Sequence, residues 1–161
     1  MDSGSIAFIM ICSALVMLMS FGLAFFYGGL GRRKNVINPM MMAVIPLGMT
    51  YPSWVLAGYS LAFGGKGSLI GNFSHLFLSG VSESHSSRGL AVPDMLFAAF
   101  QMMFPAVTAA ILTGAVAGRM RFKALLIFLV AWMFLVYYPF AHMVWDDGLL
   151  AKWGTIDFAG G

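Results

Sequence analysis

Four stretches of this 161-residue chain contain no Asp, Glu, Lys or Arg: Ser3 to Gly31, Asn35 to Gly65, Met95 to Gly118, and Ala124 to Trp145. A helix of about 20 mostly apolar residues crosses the hydrocarbon core of a bilayer, and each stretch is long enough. Inside lipid the backbone must satisfy its own hydrogen bonds, which leaves helices or closed barrels. Four strands are too few for a viable barrel, and the stretches lack the period-two alternation of barrel strands. The sequence therefore predicts an all-α integral membrane protein with four transmembrane helices, at about 5–31, 36–63, 95–118 and 123–145. The first stretch is too long for the apolar region of a signal peptide. It has no basic segment before it and shows no A-x-A cleavage site, so it reads as a retained span. Composition agrees: 9% of residues are charged, against about a quarter in soluble domains, too few to cover a water-exposed surface.

The connections carry the orientation signal. Arg32, Arg33 and Lys34 follow the first span, and Arg119, Arg121 and Lys123 join the third to the fourth. The positive-inside rule places both clusters in the cytoplasm. The opposite side holds Lys66, Arg88 and Lys152, together with all six acids: Asp2, Glu83, Asp94, Asp146, Asp147 and Asp157. The N-terminus is expected outside, and the polar segment at about 64–93, with its Ser82-Glu-Ser-His-Ser-Ser87 run, reads as an external loop. The net charge of +3 thus reads as a topology signal and not as a nucleic-acid patch, which would need the basic residues on one soluble surface. His75 and His85 are too far apart for a short metal motif and read as solvated loop residues. Cys12 has no partner for a disulfide or a CxxC site. No nucleophile–base pair, HExxH or phosphate-binding glycine loop is recognisable, so an enzyme is not expected, and neither a metal nor another cofactor is implied.

The borders of the spans are more specific than their hydropathy. Gly22-Leu-Ala-Phe-Phe-Tyr-Gly-Gly29, followed by Arg33-Lys-Asn-Val36, is one such segment, and Trp54-Val-Leu-Ala-Gly-Tyr-Ser-Leu-Ala-Phe-Gly64 is another. Phe97-Ala-Ala-Phe-Gln-Met-Met-Phe104, Arg119-Met-Arg-Phe122, Pro139-Phe-Ala-His-Met-Val-Trp145 and Asp157-Phe-Ala-Gly-Gly161 complete the set. In this order and spacing they closely resemble the Amt branch of the ammonium transporter (Amt/Mep/Rh) family, over nearly the whole chain. The resemblance implies a fold of two inverted five-span halves assembled as a trimer, each protomer with its own pore. Inverted repeats around a central pathway are a common transporter plan. On that reading the chain is the N-terminal part: four spans plus the start of a fifth, the first inverted repeat. It is expected to be incomplete, and not to conduct ammonium by itself. The family's two pore histidines would lie outside it, since none of His75, His85 or His142 matches their positions.

The resemblance also implies a site. Phe100, Phe104 and Trp145 match the aromatic residues of the family's outer recruitment site and gate. Phe26 and Tyr27 match residues lining the pore below it, and Asp157 matches an aspartate that supports the site structurally. Ammonium is a compact cation with four N–H donors. An aromatic face attracts such a cation by about 0.5–2 kcal/mol, and several rings with an acceptor oxygen could form a shallow recruitment site. Without the resemblance, Phe100 and Phe104 are an i,i+4 packing pair, Trp145 is a membrane-interface anchor, Phe26 and Tyr27 pack helices near a Gly-Gly pair, and Asp157 is a helix cap. Gln101 and His142 fit motif positions but are expected at a remove from substrate.

Several residues depart from the family pattern. Phe21 and Gly118 stand where a proline and an acid are usual, and Asp146 and Asp147 where glycines are. Pro46 and Pro52 interrupt the second span, where each removes a helix hydrogen bond and can kink it. Gly114 and Gly118 form a GxxxG pair that weakly suggests close helix contact. The function implied is recruitment of external ammonium, deprotonation, and passage of ammonia or its equivalent through a narrow apolar pore. The alternative is a non-transporting membrane remnant, or an assembly-modulating subunit that associates with full-length transporters.

Overall fold

The structure, a computed structural model, describes residues 1–31 and 33–158. Arg32 of the first basic cluster and Ala159–Gly161 of the final motif lie outside the described residues, and with them the expected start of a fifth span. Every regular element among the described residues is helical. The long helices are α1 (Ser3–Leu30), α2 (Ile37–Phe63), α3 (Asp94–Val116) and α4 (residues 122–145), and a short turn of helix, α5 (Leu149–Lys152), follows. All four long helices have the length and apolarity to cross a membrane. The 28 residues of α1 rise about 42 Å, at 1.5 Å per residue.

The chain divides into two compact units, 1–51 with 82–129 and 52–81 with 130–161. In the first, α1 packs along α3. The buried residues of α1 are Ser20, Ala24 and Gly28, four apart and so on one stripe. Small side chains there let α3 approach, while Phe8, Leu18 and Phe25 are exposed as residues of a lipid-facing helix would be. Gly114 of α3 receives the Tyr27 ring of α1, and a Cβ at this position would collide with that ring. The weak GxxxG signal therefore corresponds to a seat for a tyrosine. Asp2 caps α1, accepting from the Ser5 N–H and the Ser5 hydroxyl, both at 2.7 Å. The hydroxyl bond above all, then the backbone donors, hold this carboxyl below its ordinary 3.8, so the cap is ionised near neutral pH. Asp94 opens α3 and is buried. Its carboxylate accepts from the Ser87 N–H at 2.9 and 3.1 Å, which fixes the end of the long connection onto the helix.

The second unit is organised by two π turns. Residues Trp54–Gly58 of α2 and Met133–Tyr137 of α4 bond i to i+5, with Tyr59 N–H donating to Trp54 O and Tyr138 N–H to Met133 O. Pro139 follows the second of these. A proline in an α-helix clashes with the carbonyl four residues back, and the widened turn relieves that clash. The prolines of α2 act within continuous helix: it runs through both Pro46 and Pro52 before its π turn. The Thr50 hydroxyl donates back to Pro46 O at 2.9 Å, a local bond of the kind that bends helices. Where α2 and α4 meet, Gly58 faces the Tyr138 ring so closely that a Cβ would sit 2.6 Å from its Cζ. Tyr138 is fully buried, its hydroxyl 2.7 Å from Ser53 Oγ and its ring 5.8 Å from Trp54.

Candidate functional site

The aromatic rings of the second unit form a connected series. Beyond Tyr138, Trp54 meets Phe63 edge-on with ring centroids 6.1 Å apart. Phe63 then stacks nearly parallel to Trp145, at 6.4 Å and 7° between planes. Trp145 ends α4, and its indole Nε1–H donates to Asp157 Oδ2 at 2.8 Å. The ring is thus fixed through one face by Phe63 and through its polar edge by Asp157, which an unrestrained interface tryptophan would not be. Asp157 reaches it from the segment after α5, so two residues matched separately from the sequence are joined directly.

Phe100 and Phe104 lie in the first unit on one face of α3, T-shaped at 5.2 Å. Phe100 also lines an open cleft of about 550 Å³ with Phe8, Phe97, Asp2 and Ser5. Arg88 lies over the Phe97 ring, 5.3 Å from its centroid, so a cation–aromatic contact exists beside Phe100 within the protein itself. Phe26 and Tyr27 are also in the first unit, with ring centroids 5.6 Å apart. Phe26 is 60% exposed. Tyr27 is half-buried, donates its hydroxyl to Ile111 O at 3.1 Å, and lines a cleft of about 600 Å³ near Gly114.

Sequence reasoning placed His142 at a remove and assigned it no contacts. Here it is fully buried, with both ring nitrogens close to backbone oxygens. Of the loop histidines, His85 is exposed and sits against Ser82, while His75 packs on the Tyr59 ring. Among the described residues no group of three or more His, Cys, Asp or Glu converges to hold a metal ion.

Four long apolar helices, with polar and charged residues gathered in the connections, define a multi-pass α-helical membrane protein. The profile of the Ammonium Transporter Family matches residues 7–161. Ammonium transporter Amt1 of Archaeoglobus fulgidus is 44% identical over 162 residues, covering 100% of this chain and 39% of that protein. The ammonium transporter of Bacillus subtilis is 44% identical over 161 residues, with 100% and 40% covered. Among solved structures, Saccharomyces cerevisiae Mep2 superimposes with a TM-score of 0.87 at 35% identity, covering 99% of this chain and 37% of that one. The chain belongs to the ammonium transporter family, and it spans about two fifths of the length of these relatives.

Proposed function

We propose that this protein takes part in moving ammonium across a membrane. The observation that carries the reading is the family match across residues 7–161. In this reading Trp145, Phe100 and Phe104 supply aromatic faces that draw the hydrated cation from the outer side, each by a fraction of the energy a full coordination shell would give. Asp157 supports the site through its bond to the Trp145 indole. Phe26 and Tyr27 line the pore for the species that passes, ammonia or its equivalent. The 64–93 connection is external, the basic connections are cytoplasmic and the N-terminus is outside, in a cell membrane. Homotrimeric assembly, as the resemblance implies, completes the reading.

The test is uptake of labelled methylammonium by cells that lack other ammonium transporters and express the natural reading frame containing these residues. Saturable uptake that ammonium competes is expected. Protein present in the membrane without competable uptake would refute the reading and favour a non-transporting, assembly-modulating role.

A further inference from the structure

His142 lies in the last turn of α4 with its side chain fully buried. Both ring nitrogens face backbone carbonyls: Nδ1 is 3.0 Å from Ala62 O, and Nε2 is 2.9 Å from Gly67 O. A carbonyl oxygen can only accept, and a neutral imidazole has a single N–H. Either neutral tautomer would therefore set a ring lone pair against an oxygen lone pair at one of the two contacts. Only the imidazolium, a donor at both nitrogens, satisfies both. Two further features favour a cation here. Asp146 Oδ2 lies 3.5 Å from Nδ1, and the C-terminal end of a helix carries partial negative charge.

We propose that His142 is held as an imidazolium clamp that donates from both ring nitrogens, ties the end of α2 and the Gly67 turn to the end of α4, and so positions Trp145. Ala62 immediately precedes Phe63, the ring stacked on Trp145. Holding Ala62 O against α4 therefore holds that stacking partner in place. Gly67 adjoins Ser68, whose carbonyl accepts from Leu149 N–H at 2.8 Å, so the clamped turn is also joined to the start of α5. The elements packed around the ring bring Tyr59 from α2, Lys66 from the turn, Tyr137 and Asp147 from α4 and its end, and Lys152 from α5. Lys66, Asp147 and Lys152 are exposed; Asp146 is the described counter-charge at ion-pair distance. The effect on Trp145 rests on the recruitment reading above, but the number of protons on His142 does not.

The protonation is read by nitrogen NMR of the chain in lipid nanodiscs with its three histidines isotopically labelled. Subtracting the His142→Gln spectrum identifies the His142 signals. The double variant His75→Gln/His85→Gln identifies them independently if the first does not fold. Two protonated ring nitrogens are expected for His142, one donated to each carbonyl. A bare ring nitrogen at neutral pH overturns the clamp. The positioning role is read by methylammonium uptake from the natural reading frame. His142→Gln is expected to weaken apparent affinity several-fold. Two protonated nitrogens with an unaltered affinity would keep the clamp and overturn its role in positioning Trp145. Two protonated nitrogens with no uptake by the unsubstituted protein would support the clamp and sink the transport reading instead.

Discussion

Trp145 is fixed by Phe63 on its face and by Asp157 at its Nε1, so on the proposed recruitment role its ring is pre-placed and need not be ordered on binding. Trp145→Leu keeps the end of α4 apolar while removing the cation-attracting face. In protein expressed from the natural reading frame it should weaken apparent ammonium affinity several-fold, about 1 kcal/mol, without abolishing assembly. Asp146 and Asp147 add negative field nearby, screened over about 10 Å at 0.1 M salt, so competition assays belong at low and high ionic strength. A leucine variant that assembles normally and transports with unchanged affinity at both would leave Trp145 an interface anchor. At this scale part of the arrangement was legible in the sequence. Phe100 and Phe104 share a helix face because they are four apart, and Trp145 and Asp157 were matched through their motifs. The Trp145–Asp157 bond and the two contacts of His142 were not legible. The bond joins residues twelve apart across a connection that includes the short turn α5, and the histidine's acceptors are backbone carbonyls 75 and 80 residues away, which no residue type advertises.

The four apolar helices could be read from the sequence because lipid leaves a spanning backbone few options. Their internal geometry could not. Pro46 and Pro52 signalled a possible kink, yet the irregular turn of α2 lies beyond both, at Trp54–Gly58. That turn coincides with the close approach of Gly58 to the Tyr138 ring, a tertiary contact invisible to hydropathy. The same contact supplies a test. Gly58→Ala places a methyl group inside the van der Waals envelope of a buried ring that is also held by Ser53. Overpacking of this kind typically destabilises by about 1–3 kcal/mol. Lowered resistance to thermal or denaturant unfolding in detergent is expected, with recovery when Tyr138→Leu is added to shrink the opposing side chain. Unchanged stability of Gly58→Ala would show that the ring can withdraw and that the glycine is not required for packing.

For the whole molecule, the sign and placement of charge govern how the chain sits in a membrane. Six of the nine basic residues fall at 32–34 and 119–123, and all six acids fall at the other ends of the spans. Three of the acids are tied into the ends they occupy: Asp2 caps α1, Asp94 holds the Ser87 end of the connection onto α3, and Asp157 bonds Trp145. Inverting the protein would move the basic connections to the outside, against the bias that sets orientation. An N-terminus outside is therefore expected, and it can be tested with single cysteines in a Cys12→Ser background. In intact cells an impermeant thiol reagent should label Ser84→Cys, in the exposed part of the long connection. It should reach Lys34→Cys only after the membrane is opened. Labelling of Lys34→Cys in intact cells with Ser84→Cys protected would reverse the orientation, and would place Trp145 and Asp157 on the cytoplasmic side, where they could not recruit external ammonium.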